Sequence, residues 1–264
     1  MSLWISRGTV SMNRIGFVTF VWRELKRFLS LYNQTLVPGL LTTILYIFVF
    51  GKSLGGRIGV IKGVSYTDYI IPGLAMMNVI TNAYSNSASS LFQAKIMQFL
   101  DDILITPLSG LEISMGYIIG GMVRGLLNGI LVLLVGVALT NLPFVHPVLT
   151  LLYLIIVGWA FGAVGLVIGI FAKTFDNIQL YINFLLTPLV FLGGVFYSID
   201  MLPGIWRNIS LLNPLYYMIN GLRYAVLGVT DSPPWWSLAV STGMAIAFTI
   251  LGAVLFARGY RIKD

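Results

Sequence analysis

Stretches free of Asp, Glu, Lys and Arg recur along this chain at lengths close to the ~20 residues a helix needs to cross a hydrocarbon layer. Phe28–Gly51 and Tyr69–Ala94 each predict one such helix, placed at 34–51 and 69–90. Gly125–Ala172 is too long for one, and "NLPFVHP" at Asn141–Pro147 sets two prolines where a helix would have to continue. It therefore predicts a helical hairpin, 113–140 and 148–172, with Arg124 inside the first arm. Asn177–Ile199 and Ser232–Ala257 predict spans at 177–199 and 235–257. The fold class is all-α: a polytopic membrane domain of six spans over residues 1–264.

Three polar-patterned segments interrupt this series. In Asn13–Ser30, at 100° per residue, Thr19, Arg23, Lys26, Arg27 and Ser30 share one face, and Ile15, Val18, Val21, Trp22, Leu25, Phe28 and Leu29 the other. The pattern predicts an interfacial helix at 13–30, with Phe20 and Arg14 as blemishes. It serves either as a topology anchor or as a lever touching a soluble partner. In the segment after span two, Leu91, Ile96, Phe99, Leu100, Ile103 and Leu104 recur at helical spacing up to Pro107. This predicts a helix at 91–106, as a solvated connector or a docking element. Asp101 and Asp102 are adjacent and point about 100° apart, which argues against paired acid–base chemistry. Asp200–Pro234 is too apolar for a solvated tether. Pro203 and Pro214 suit first helical turns and Asn213 suits a cap, so 200–224 predicts a pair of short helices dipping into the outer leaflet. Trp206, Tyr216 and Tyr217 are expected in the headgroup zone.

Composition agrees with a lipid-facing chain. Of 264 residues 58% are hydrophobic and 9% charged, against about 25% charged in soluble domains. The net charge of +7 is spread along the chain and gathers at its ends, which fits an anionic membrane surface and not nucleic acid. Charge bias places both termini in the cytoplasm. Arg7, Arg14, Arg23, Lys26, Arg27, Lys95, Lys173, Arg258, Arg261 and Lys263 then lie inside, and Lys52, Arg57, Lys62, Arg207 and Arg223 outside. There is no cysteine, and the single histidine, His146, has no companion ligand, so no metal site is expected. The N-terminal residues lack a signal-peptide pattern, and Met12 is a second plausible start. Arg124, near mid-span, should face protein or water, with Glu24 or Asp176 as candidate partners and structural pairing favoured over substrate contact.

From Leu186 to Arg223 the residues resemble the signature of the integral membrane subunits of ABC-2-type exporters: Leu189, Leu192, Gly193, Val195, Leu202 and Pro203, then Pro214, Leu215, Tyr217 and Arg223. "QTLVPGLLTTILY", "GVSYTDYIIPGL", "AKTFDN" and "LTPLVFLGGVFYS" look most like the YadH-like bacterial inner-membrane permeases. The resemblance covers nearly all of the chain beyond Met1–Ser11. It implies a homodimer in the bacterial inner membrane, docked to two copies of a cytoplasmic ABC ATPase that bind ATP and Mg; this chain would need no cofactor and catalyse nothing. By the same resemblance Ser89–Thr106 is the main coupling segment, with Gln93, Lys95, Phe99, Asp101 and Asp102 on its surface. Lys173–Asn177, with Asp176, is a second contact, and Trp22, Arg23, Lys26 and Arg27 flank the ATPase. Pro203, Trp206, Pro214, Tyr217 and Arg223 form an external gate. The sequence has no GxxxxGK[ST] phosphate loop of its own. The expected function is export of an amphipathic or lipid-linked substrate. The alternatives are an ion-coupled carrier, for which Arg124 is the sole midplane ionisable group, and a membrane hydrolase, which lacks a nucleophile and base.

Overall fold

The structure is a computed structural model that describes residues 13–140 and 142–258; Arg7, Arg261 and Lys263, counted in the charge bias, and the alternative start at Met12 lie outside the described residues. Helix α1 (Arg14–Leu29) starts at Asn13, whose side chain accepts from the Gly16 amide at 3.0 Å. Helix α2 (Tyr32–Ile58) contains a wider-wound π-helical stretch at Ile47–Leu54 and ends at Gly59, φ +74°. A two-residue hairpin, β1 (Val60–Ile61) and β2 (Val64–Ser65), leads into α3 (Tyr66–Ile96), capped by Ser65. Then follow α4 (Leu100–Ile105), α5 (Gly110–Leu139), α6 (Pro147–Phe171), α7 (Phe175–Leu192), α8 (Gly204–Leu212), α9 (Pro214–Leu227) and α10 (Pro234–Ala257).

Most of these bounds follow the apolar pattern, and two do not. No continuous helix runs over 91–106. Instead α3 extends to Ile96, Gln98 adopts a left-handed φ of 60°, and the six-residue α4 starts afresh at Leu100. The predicted span at 177–199 also stops early: α7 ends at Leu192, and Gly194, φ +81°, turns the chain away. A left-handed backbone is cheap for glycine, so the doublet Gly193–Gly194 ends the helix whatever the hydropathy beyond it.

Among the described residues, five helices are long and apolar enough to cross a membrane: α2, α5, α6, α7 and α10. The 31-residue α3 is their equal in length but carries a stripe of Asn, Ser and Thr, and it needs no lipid-facing surface because it packs between α5 and α6. Close approach is made by small residues. A Cβ on Gly125 would sit 2.8 Å from the Val79 carbonyl, and one on Gly165 2.3 Å from that of Tyr84. This is the membrane mode of helix packing, in which backbone contact replaces a hydrophobic drive that lipid cannot supply. In contrast, only 22% of the apolar window of α2 and 17% of those of α7 and α10 are buried, so these helices form the outer wall.

Side-chain contacts define two ends of the bundle. At one, α1, α4 and the Phe256 end of α10 meet the last turns of α3 and the first of α5 in a cluster around Phe20, Leu91, Leu100 and Ile113. At the other, the β-hairpin, the turn after α7 and the second half of α9 gather over the first turns of α3.

Candidate functional site

At the α1 end, charge is divided between exposed tips and a buried staple. Glu24 is fully buried. It accepts from Arg23 at 2.8 Å and from the Ser90 hydroxyl at 2.6 Å, and lies 3.6 Å from Arg27. Arg27 donates in turn to the Asn86 side chain at 2.8 Å. This ties α1 to α3, while Phe20 lies edge-on to Tyr117, centroids 5.1 Å apart, over Gly116 of α5. Phe20 is thus no blemish but the anchor of a third, protein-facing stripe, Phe20–Glu24–Phe28, spaced by four residues. The two-faced reading missed it because it left no face for packing against the bundle. Ile15, Val18, Trp22, Leu29 and Lys26 stay exposed.

The predicted coupling residues divide the same way. Asp101 and Asp102 are exposed in the first turn of α4, where acidic groups suit the helix dipole. Phe99 is half-buried beneath the Arg23 guanidinium, 5.3 Å from it. Lys95 does not project from a docking face: its ammonium donates to the Gly169 and Ile170 carbonyls at the end of α6. Lys173 is exposed in the α6–α7 turn and Asp176 in the first turn of α7, and Gln93 is half-buried on α3. Phe92 meets Phe175 edge-on at 4.7 Å, so the two segments assigned to coupling touch. Lys95, Lys173 and Ile96 line a cavity of about 520 Å³ between them. A second groove of about 500 Å³ runs between α1 and α4, lined by Thr19, Arg23, Phe99 and Asp102.

At the opposite end a buried polar clamp holds the chain together. Arg223 of α9 is completely buried. It donates to the Gly194 carbonyl at 2.6 Å, the Asn220 side chain at 3.2 Å and the Tyr69 carbonyl at 3.4 Å, and stacks over the Tyr69 ring at 4.0 Å. Asp231, in the loop before α10, accepts from the Ser198 hydroxyl at 2.8 Å and the Tyr69 hydroxyl at 3.3 Å, and pairs with Lys62 of the hairpin. Lys62 also reaches Asp200 at 3.4 Å, which Arg207 approaches at 3.5 Å. Burial alone would push the Asp231 carboxyl up, but the bond from Lys62 and the nearby Arg223 charge outweigh it and hold it below the ordinary value. Burial likewise pulls the Lys62 ammonium down, and Asp231 and Asp200 together raise it.

Of the predicted gate residues, Arg223 alone enters this clamp. Asn213 caps α9 as expected, accepting from Leu215 at 3.0 Å, with Pro214 in the first turn; Pro203 precedes α8 instead of opening it. Tyr217 donates to the Leu211 carbonyl at 2.9 Å. Trp206 is exposed on α8 with Ile205 and Leu212, but Tyr216 is buried in the core, out of reach of any headgroup layer. Asp231, Lys62, Tyr69 and Asn220 escaped the sequence reading because the network joins four separate segments. The available hint was an acid in "VTDSPP" directly before an apolar span.

Neither partner expected for Arg124 is made: Glu24 is occupied on α1, and no ion pair or side-chain hydrogen bond to Arg124 exists among the described residues. His146 lies against Tyr224, centroids 5.3 Å apart, and the described residues contain no cluster of three metal-ligating side chains.

Known proteins place this architecture. The family model described as ABC-2 type transporter matches residues 16–227, which include the staple, both segments assigned to coupling, and Arg223. The inner membrane transport permease YadH of Escherichia coli (strain K12) is 45% identical over 247 residues, 92% of this chain and 96% of that protein. Nodulation protein J of Rhizobium leguminosarum bv. viciae is 27% identical over 199 residues, 74% of this chain and 75% of that protein. Nodulation protein J of Neorhizobium galegae is 25% identical over 217 residues, 79% and 80%. With a bundle of long apolar helices around a polar central one, and a family match over most of its length, the chain belongs to the ABC-2 type transporter family and is a multi-pass permease of the inner membrane.

Proposed function

We propose that this permease is the membrane half of an ABC exporter, working as a homodimer that moves an amphipathic or lipid-linked substrate from the cytoplasm or inner leaflet outward. A separate ATPase subunit, present in two copies, binds ATP and Mg and docks on the α1 end. Both termini are then cytoplasmic, and all six long helices span. The observation that carries this reading is the α1 end itself. Exposed carboxylates on α4 and an exposed basic–acidic pair, Lys173 and Asp176, flank the end of α3, where Phe92 meets Phe175 and Ser90 holds Glu24 of α1. A push on α4 is transmitted to α3 and α5 through packed side chains, because Leu100 and Ile103 are buried among residues of those helices. At the far end, α8 exposes Ile205, Trp206 and Leu212, the surface of a helix lying in an outer headgroup layer. The sparsely buried α2 and α7 supply the apolar faces by which two copies meet around a pathway.

The test is reconstitution with the ATPase that copurifies with the chain. Replacing Asp101 and Asp102 together by alanine removes exposed charge and no buried contact, so thermal stability should be unchanged while transport-coupled ATP hydrolysis falls several-fold. Undiminished coupling in that double variant would remove α4 from the docking surface. Transport by the chain alone, without ATP, would overturn the reading.

A further inference from the structure

A third feature is used by neither the docking end nor the clamp. Between α2, α3 and α5 lies a recess of about 290 Å³ lined by Gln34, Thr42, Asn78, Thr81, Asn82 and Arg124. Its place on α2 begins two residues from the Tyr32 start, so it opens at the α1 side of the bundle and runs inward for about 20 Å, to Tyr46. Gly39 lets α2 come this close to α3 and α5: a Cβ there would meet the Asn78 side-chain oxygen at 2.7 Å and that of Asn128 at 3.2 Å.

Arg124 is the one charged group in this lining, and its Nε is buried without a partner. The charge that acts on it is a second cation, Arg27. Arg27 and Arg23 already share Glu24, so the neighbourhood carries more positive charge than it can neutralise. No carboxylate of the described residues stands beside it. Asp101 and Asp102 are exposed on α4 and Asp176 on the first turn of α7, all at the α1 side, and Glu112 is held there by Ser109 and Asn13. Asp68, Asp200 and Asp231 belong to the hairpin end. A guanidinium at this depth without a counter-charge is unfavourable, and one kept in a polar recess is set to receive an anion from outside the protein. Thr42, Thr81 and the amides of Gln34 and Asn82 surround it with neutral hydrogen-bonding groups.

We infer that this recess binds the anionic head group, of phosphate type, of an amphiphile, with Arg124 as its charge partner and Asn82 and Gln34 as hydrogen-bond donors. The inference rests on reading the chain as a permease for amphipathic molecules and deepens it. It gives that cargo, or a lipid resident in the same place, a negative head.

The experiment uses the full chain in dodecyl maltoside, titrated with dodecyl phosphate and followed by thermal shift and by microscale thermophoresis. Wild type should bind saturably. Arg124→Gln should weaken binding about tenfold or more, as loss of a charge-assisted hydrogen bond does. Arg124→Lys should restore part of it, and Asn82→Ala should weaken it less than Arg124→Gln. Dodecyl phosphocholine, whose head is zwitterionic, should compete poorly. Equal binding of dodecyl phosphate by wild type and Arg124→Gln, both folded by size exclusion, overturns the inference. Inorganic phosphate binding as tightly as dodecyl phosphate would overturn the amphiphile. Lipid discs of phosphatidylglycerol and phosphatidylcholine separate the two sources: Arg124-dependent phosphatidylglycerol seen by native mass spectrometry that persists through ATP turnover is a resident lipid, and one discharged by turnover marks a cargo site. Either upholds the anionic head group. Lost Arg124-dependent binding with intact ATPase coupling refutes only this site, whereas retained binding with no ATP-driven transport refutes the exporter and leaves the site standing.

Discussion

Replacing Asp231 by alanine tests whether the hairpin end is held by its buried charge network. The carboxylate has a side chain only 2% exposed and accepts from Ser198, Tyr69 and the Ile199 amide while pairing with Lys62. Removing it leaves those donors unmet and one counter-charge fewer beside the fully buried Arg223. Breaking a buried pair from one side costs about 3–5 kcal/mol. Lys62 is 33% exposed and keeps Asp200 at 3.4 Å, which puts the expected loss at the low end, about 3 kcal/mol. At about 2–4 °C per kcal/mol for a chain of this size, the midpoint of thermal unfolding in detergent should drop by about 6–12 °C. Asp231→Asn, which keeps an acceptor and loses the charge, should drop it by about half as much. Because the Asp231 carboxyl titrates below its ordinary value of 3.8 in the folded chain, its contribution is complete above that pH and is lost as the pH falls through the lower folded value. Wild-type stability should therefore fall on acidification below about pH 4 more steeply than that of Asp231→Asn. An alanine variant that melts within about 1 °C of wild type would refute the clamp.

Other positions give independent expectations. Glu24→Ala leaves Arg23 and Arg27 without their shared carboxylate, so it should cost about 3–5 kcal/mol and expose α1 to limited proteolysis; unchanged protection would mean that α1 is not stapled to α3. Gly165→Leu drives a side chain into the Tyr84 carbonyl, 2.3 Å from the first added carbon, and should lower the yield of folded protein sharply through overpacking of about 1–3 kcal/mol or more. Arg124→Leu removes an unpaired cation from the membrane interior and should stabilise the ligand-free protein, by up to the ~2.5–3.5 kcal/mol that such a charge costs on insertion scales, so its melting midpoint should rise. A lower midpoint would show that Arg124 is structurally paired.

The long elements were legible because charge-free runs and prolines speak directly to lipid. The pattern locates five of the long helices and, through Tyr69–Ala94, the sixth, whose polar stripe makes it central and not lipid-facing. The misread boundaries hang on one or two residues. Gly194 stops α7 and Gln98 splits 91–106, and neither backbone choice leaves a trace in hydropathy. Placement was legible only where it is set by a local segment: Asp101 and Asp102 are exposed in a first helical turn and Asn213 caps α9. Glu24 and Asp231 gain their meaning from Ser90 and Lys62, each more than sixty residues away in sequence, and no helical wheel brings such residues together. The same limit explains Lys95, whose charge reads as a docking group until its partners, the α6 carbonyls, are seen.

The central claim, that a separate ATPase engages the α1 end of this permease, is tested most directly by site-specific crosslinking in inner-membrane vesicles. The natural chain has no cysteine, so single cysteines can be placed at Asp102, Asp176 and Asn208 and armed with a photoactivatable maleimide. The account predicts adducts with the nucleotide-binding subunit, identified by mass spectrometry of its phosphate-loop peptide, from Asp102→Cys and Asp176→Cys and none from Asn208→Cys. Adducts from Asn208→Cys, with none from the two α1-end positions, would contradict it.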